Sequence, residues 1–207
     1  MFLLLLLLLL PFASECLLNP RQLGCERMNG EWGNYDTVFQ KPMEIGDKYI
    51  VNGTVSPHPG IVRFNLASTM PGLVFVHFRC DICCEANVIW DTYFNGKWDR
   101  REYSPMPFRA SQAYEVIMEY TGSTVEFTFN GAYLYSFRLR TGGQINQAQL
   151  YGTHTTNFQE MRCKNAPPTT RRPRPPPQND DSHGHGHGHG HGHGHSRSSS
   201  DSESCER

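Results

Sequence analysis

The chain has 207 residues, a formal net charge of −1, and 38% hydrophobic, 12% aromatic and 19% charged residues. This length admits one or two domains and enough apolar mass for one sizeable core. The near-neutral balance excludes any global electrostatic argument for nucleic acid or an anionic membrane as partner.

In chain order, Met1-Phe2 precede the run Leu3 to Leu10, followed by Pro11-Phe12-Ala13-Ser14. A short apolar run ending in small residues reads as a secretory signal peptide, residues 1–15, cut near Ala13 to Glu15, although no basic residue precedes the leucines. It is too short to span a membrane, which needs about 20 apolar residues, and no later segment is longer. The expected location is extracellular. Secretion then sets the reading of Cys16, Cys25, Cys80, Cys83, Cys84, Cys163 and Cys205. In an oxidising compartment most of them pair, and an odd count leaves at least one free or intermolecular. Cys80, Cys83 and Cys84 form a C-x2-C-C pattern with no second pair at zinc-finger spacing, so disulfides or a partly buried thiol fit better than a metal site.

Residues 16–34 are polar, with scattered Gly and Trp32, and no period assigns them an element. From Tyr35 the chain becomes strand-like. Pro57-His58-Pro59-Gly60, Met70-Pro71-Gly72, Asn95-Gly96, Thr121-Gly122-Ser123, Asn130-Gly131 and Thr141-Gly142-Gly143 punctuate it. Val125 to Phe129 alternates apolar and polar residues, and no segment sustains a helical period. Many short strands with Gly/Pro turns imply an all-β sandwich of two antiparallel sheets. Asn52-Gly53-Thr54 is a glycosylation sequon, usable if it is exposed. His58 and His154, in Gly/Pro/Thr-rich surroundings, read as ordinary surface residues. No nucleophile elbow, triad arrangement or phosphate-binding glycine loop is present, so an enzyme is not expected.

The most informative stretch is Gly72 to Phe108. Leu73-Val74-Phe75-Val76 is rich in strand formers and leads into His77, Phe78 and Arg79. Val88 to Phe94 is a second strand, and Asn95-Gly96 is a strong hairpin-turn dipeptide. Trp98 then sits among Lys97, Asp99, Arg100, Arg101 and Glu102. Adjacent antiparallel strands carrying His, Arg, Asp and Trp, with one face open, build a shallow polar binding surface. The competing reading is a salt-bridged exposed strand, with Trp98 as a lid over the core.

After Cys163 the composition changes. Residues 164–182 hold the Pro/Arg-rich linker Ala166 to Pro177, extended and unable to pack. Residues 183–195 alternate His and Gly, placing His183, His185, His187, His189, His191, His193 and His195 at every second position. Residues 196–207 are Ser-rich and acidic. So little apolar content leaves this C-terminal tail disordered. No cofactor is required by any motif, but neutral imidazoles on a flexible chain are ligands for Zn2+, Cu2+ or Ni2+.

The middle of the chain resembles the galectins, the β-galactoside-binding lectins. Their strand apolar-x-H-F-N-P-R, then V-x-N-T, N-x-x-W-G-x-E-x-R and P-F are matched by Val76-His77-Phe78, Val88-Ile89-Trp90-Asp91-Thr92, Asn95-Gly96-Lys97-Trp98 and Pro107-Phe108. Ile45 to Val55 is similar to their opening strand, and Arg63-Phe64-Asn65-Leu66 to R-F-x-x-N-L. Tyr114-Glu115-Val116, Val125 to Gly131, and Ile145-Asn146 through Leu150-Tyr151-Gly152 resemble the closing strands. The likeness runs from Tyr35 to Cys163 and implies a jelly-roll carbohydrate-recognition domain over 35–163. It implies glycans or glycoproteins as partners, with a homodimer left open. Most galectins lack a leader and keep free thiols, so this chain departs from them there.

The binding positions also depart. His77 and Trp98 stand where the family's sugar-contacting His and Trp stand. Its Asn after the His is Arg79, its Arg is Asp81 and its second Asn is Asp91. Its Glu falls on Arg101, with Glu102 one step late, and its last Arg falls on Tyr103. The resemblance therefore implies a carbohydrate site of His77, Arg79, Asp91, Trp98 and either Arg101 or Glu102, with altered or weakened galactoside specificity. The alternative is a galectin-fold structural or interaction protein that binds no sugar and acts through a metal-binding His-Gly tail. Cys25 and Cys163 bracket the domain, and first and last strands lie close in the galectin fold, which implies a Cys25–Cys163 bridge.

Overall fold

A computed structural model describes residues 20–166, apart from residues 59 and 83. The expected leader, the linker beyond residue 166, the His-Gly repeat and the Ser-rich end lie outside the described residues. All regular structure in the described residues is strand: β1 (Arg21–Leu23), β2 (Arg27–Trp32), β3 (Tyr35–Phe39), β4 (Lys48–Val55), β5 (Ile61–Ala67), β6 (Val74–Asp81), β7 (Asn87–Phe94), β8 (Lys97–Trp98), β9 (Glu102–Pro105), β10 (Ala113–Tyr120), β11 (Thr124–Phe129), β12 (Ala132–Arg138), β13 (Gln147–Gly152) and β14 (His154–Arg162). No helix among these residues is long and apolar enough to cross a membrane.

The turn chemistry acts as its residues predict. Asn95 (φ 52°) and Gly96 (φ 76°) close the β7–β8 hairpin, and Asn130 (φ 49°) and Gly131 (φ 79°) close β11–β12. Two successive positive φ values make the tight turn whose twist matches that of paired strands. The strands form two sheets. One runs β1-β3-β13-β5-β6-β7-β8, with β9 also on β7; the other runs β12-β11-β10-β4-β14-β2. Pairing is antiparallel except for β1, which lies parallel to β3.

Alternation along each strand sorts residues between the core and the outside. In β11, Val125, Phe127 and Phe129 are buried while Glu126 is exposed. Across β5, β6 and β7 one row, Phe64–Phe78–Trp90, points inward. Phe78 stacks on Trp90 with centroids 4.6 Å apart, and the Trp90 indole N–H donates to Ser104 Oγ at 2.8 Å. Each such side chain stabilises the fold by about 1.5–3 kcal/mol through burial. The adjacent row on the same strands, Asn65–His77–Asp91, necessarily faces out, because the side-chain period is two. A slip of one residue would exchange the two rows, so packing the aromatics sets the register of the outer face.

The unassigned N-terminal segment is structured from residue 21 onward. Edge strand β2 pairs with β14, and the Cys25–Cys163 disulfide joins the two ends of the domain across a sequence separation of 138 residues. β2 alternates, with Met28 and Trp32 half-buried against the core and Arg27, Asn29 and Glu31 exposed, but Gly30 between the two apolar residues weakens that signal in the sequence. Cys80 is a free, fully buried thiol, pushed well up by burial, and Cys84 is disulfide-bonded.

One surface assignment is corrected. His58 is exposed, but His154 is only 5% exposed and its Nδ1 lies 2.6 Å from the Tyr114 hydroxyl. It begins β14 in phase with buried Thr156, so the strand turns it toward the opposite sheet. Its neighbours Thr153 and Thr155 carry no apolar pattern that announces this.

Candidate functional site

The outer row of β5, β6 and β7 builds a cleft of about 190 Å³, lined by Arg63, His77, Arg79, Ile89, Asp91, Trp98 and Arg101. Strand pairing sets Asn65 opposite His77 and His77 opposite Asp91, with Arg63, Arg79 and Ile89 as the next row. The Asn95-Gly96 turn folds Trp98 back over Tyr93, and the indole comes to rest beside His77, with centroids 4.6 Å apart. Trp98 is 46% exposed there and lies over the outer face of the sheet, so it is no lid on the core.

Hydrogen bonds decide the state of His77. Asn65 Nδ2 donates to Gln149 Oε1 at 3.1 Å, which leaves Asn65 Oδ1 as an acceptor, 2.7 Å from His77 Nδ1. His77 Nδ1 is therefore the donor, and Nε2 of the neutral ring is a lone-pair acceptor. Burial lowers the pKa of His77 to about 4, and Arg63, Arg79 and Arg101 push it in the same direction. At neutral pH the ring carries no charge and presents that acceptor.

Asp91 is held from several sides. Its Oδ1 accepts from the Thr92 backbone N–H at 2.7 Å and lies 3.6 Å from the Arg140 guanidinium; its Oδ2 lies 3.9 Å from Arg101 Nε. Arg140, with a side chain 13% exposed, also binds Asp99 at 3.2 Å, Glu102 at 2.7 Å and the Arg100 carbonyl. This cluster anchors the β8–β9 segment beneath the cleft.

Of the sequence-selected residues, His77, Arg79, Asp91, Trp98 and Arg101 come together, and Glu102 does not. Glu102 pairs with inward-facing Trp90 across β7–β9 and turns to the edge of the sandwich, where Tyr135 of the other sheet donates to it at 2.5 Å. The Tyr135 hydrogen bond, with help from Arg140, lowers its pKa. Glu102 opens β9 opposite inward-facing Trp90, while Arg101, just before the strand, lines the cleft. Sequence reasoning missed Arg63, Ile89 and the positioning residues Asn65 and Arg140. The alternation Arg63-Phe64-Asn65-Leu66 was the signal for Arg63 and Asn65; nothing local marks Arg140. On the other sheet, Asn52 is half-buried on β4, between β10 and β14, and accepts a hydrogen bond from Asn157 Nδ2 at 3.1 Å.

Comparison with known proteins agrees with this architecture. The family model described as galactoside-binding lectin matches residues 34–157. Among solved structures, the Caenorhabditis elegans galectin LEC-6 is similar with a TM-score of 0.60 at 15% identity, over 65% of this chain and 94% of that one. Sheep galectin-11, solved in complex with glycerol, is similar with a TM-score of 0.57 at 12% identity, over 63% of this chain and 98% of that one. No curated protein matches the chain.

Proposed function

This chain belongs to the galactoside-binding lectin family, and on that premise we propose that it is a secreted lectin whose cleft over β5, β6 and β7 holds a saccharide with altered specificity. The observation that carries this is the half-exposed Trp98 ring set against a neutral His77 whose Nδ1 is already committed to Asn65. A sugar has one apolar C–H face and a rim of hydroxyls. Trp98 offers a flat apolar surface to the first. His77 Nε2 accepts from a hydroxyl of the second, Asp91 accepts from another, and Arg79 and Arg101 donate. Charged partners make the stronger hydrogen bonds. Arginines at two positions where galectins carry Asn and Glu change which hydroxyl pattern fits, and this is the basis for a changed specificity.

The leader and the oxidised Cys25–Cys163 and Cys84 support secretion, because such bonds persist in oxidising compartments. The His183 to His195 repeat adds a tail for Zn2+, Cu2+ or Ni2+; this reading rests on its composition.

A glycan array probed with the full chain and with Trp98→Ala tests the central reading. Wild type is expected to bind a subset of glycans that the variant loses by roughly thirtyfold or more, the size of a stacking hot spot. Identical profiles from both proteins would refute the cleft as the sugar site.

A further inference from the structure

The cleft holds more positive charge than its own carboxylates neutralise. Arg63 and Arg79 are direct cross-strand partners on the same face of β5 and β6. Like charges placed so are destabilising for the sheet unless something offsets them. Their neighbours in that row do not: Ile89 lies beyond Arg79, and Tyr151 lies beyond Arg63 with its hydroxyl donated to Asp36. Arg63 forms no ion pair among the described residues, and its side chain is exposed. Arg79 meets Asp81 only at 3.7 Å, and its buried Nε has no hydrogen-bond partner among the described residues. Asp91, the one carboxylate lining the cleft, is shared between Arg101 at 3.9 Å and Arg140 at 3.6 Å.

We propose that the cleft takes an acidic saccharide, with the anionic group, a sulfate ester or a carboxylate, seated between Arg63 and Arg79. This rests on the carbohydrate reading and deepens it. The ring stacks on Trp98 beside His77. The anion lies one row further along the sheet, where two guanidinium groups supply N–H donors of the kind that suit a carboxylate or a sulfate. His77 stays neutral there, an acceptor for a hydroxyl, while the arginines hold the charge.

Calorimetric titration of the full chain with lactose, sulfated lactose and sialyllactose, at low and at high NaCl, tests this. The acidic sugars are expected to bind about tenfold or more tightly than lactose. That advantage should shrink as salt shortens the screening length to a few ångströms. The order of the two acidic sugars separates sulfate from carboxylate as the preferred group. Arg63→Gln, a change at an exposed side chain, is expected to bring the ratio of acidic to neutral affinity close to one, and Arg63→Lys to retain much of it. Lactose binding as tightly as both acidic sugars would overturn the proposal and leave the carbohydrate reading standing. An unchanged ratio in Arg63→Gln would also overturn it, by moving the anion to another basic segment such as Arg171 to Arg174. Binding of none of the three sugars would bring down the carbohydrate reading, and the proposal with it.

Discussion

Two charged regions meet at Asp91 on β7, and they are built on opposite principles. Beneath the sheet edge, Arg140 is nearly enclosed and meets Asp99 at 3.2 Å and Glu102 at 2.7 Å, while Tyr135 adds its own hydrogen bond to Glu102. On the outer face, Arg63, Arg79 and Arg101 have no ion-pair partner closer than 3.7 Å among the described residues. The first region is satisfied by its own chain. The second has donors left over. Charges that the chain neutralises hold the fold, and charges it leaves over are available to a ligand. Perturbing the closed parts of the molecule should therefore cost stability, and perturbing the cleft should cost binding.

The sharpest version of this contrast lies at the domain ends. Removing the Cys25–Cys163 bridge by Cys25→Ser with Cys163→Ser should lower unfolding free energy by about 5 kcal/mol in the chain-entropy account of a 138-residue loop. Urea titration reads this out, and an unaltered midpoint would mean that the strands alone hold the ends. Next is Arg140→Ala, expected to cost about 3 kcal/mol because it strands Asp91 and Glu102 without their shared cation. A Trp98→Ala protein measured in the same way should keep its midpoint, since that ring is exposed at the cleft mouth.

Acid provides a comparison of similar size between buried His154 and half-buried His77. Burial lowers the His154 pKa from 6.5 to about 4, so above pH 6.5 the ring is neutral whether the chain is folded or unfolded. As pH falls from 6.5 toward 4 the unfolded chain gains a proton that the fold refuses, and stability drops by roughly 3 kcal/mol. His154→Gln should flatten that decline in denaturation curves taken across the interval. His77 is lowered to about 4 as well, by burial first and then by the arginines around it, but its consequence is read in binding. Sugar affinity should hold level from neutral pH down to about 5 and fall only near 4, where Nε2 is protonated. A loss centred near 6.5 would mean that His77 titrates as an open imidazole and that neither burial nor the surrounding arginines hold its pKa down.

Much of this architecture was legible in the residues themselves. Period-two alternation is local, so Val125 to Phe129 announced its own buried face, and the two Asn-Gly pairs announced their turns through the positive φ they tolerate. Once Phe64, Phe78 and Trp90 are committed to the core, period two forces Asn65, His77 and Asp91 outward, which is why the site could be anticipated from a short stretch. Tertiary structure decided what depends on a second strand or a second sheet. β2 carries only Met28 and Trp32 as apolar residues, with Gly30 between them, too short a pattern to read alone, and its pairing with β14 and the Cys25–Cys163 disulfide place it. His154 is buried because of what packs opposite it. Glu102 left the cleft for Tyr135 and Arg140, residues far along the chain, and Arg63 entered it through its register with Arg79. Burial and ion pairing are properties of neighbours in space. A linear pattern names the face a side chain points to, and only the packed sheets determine what it meets there.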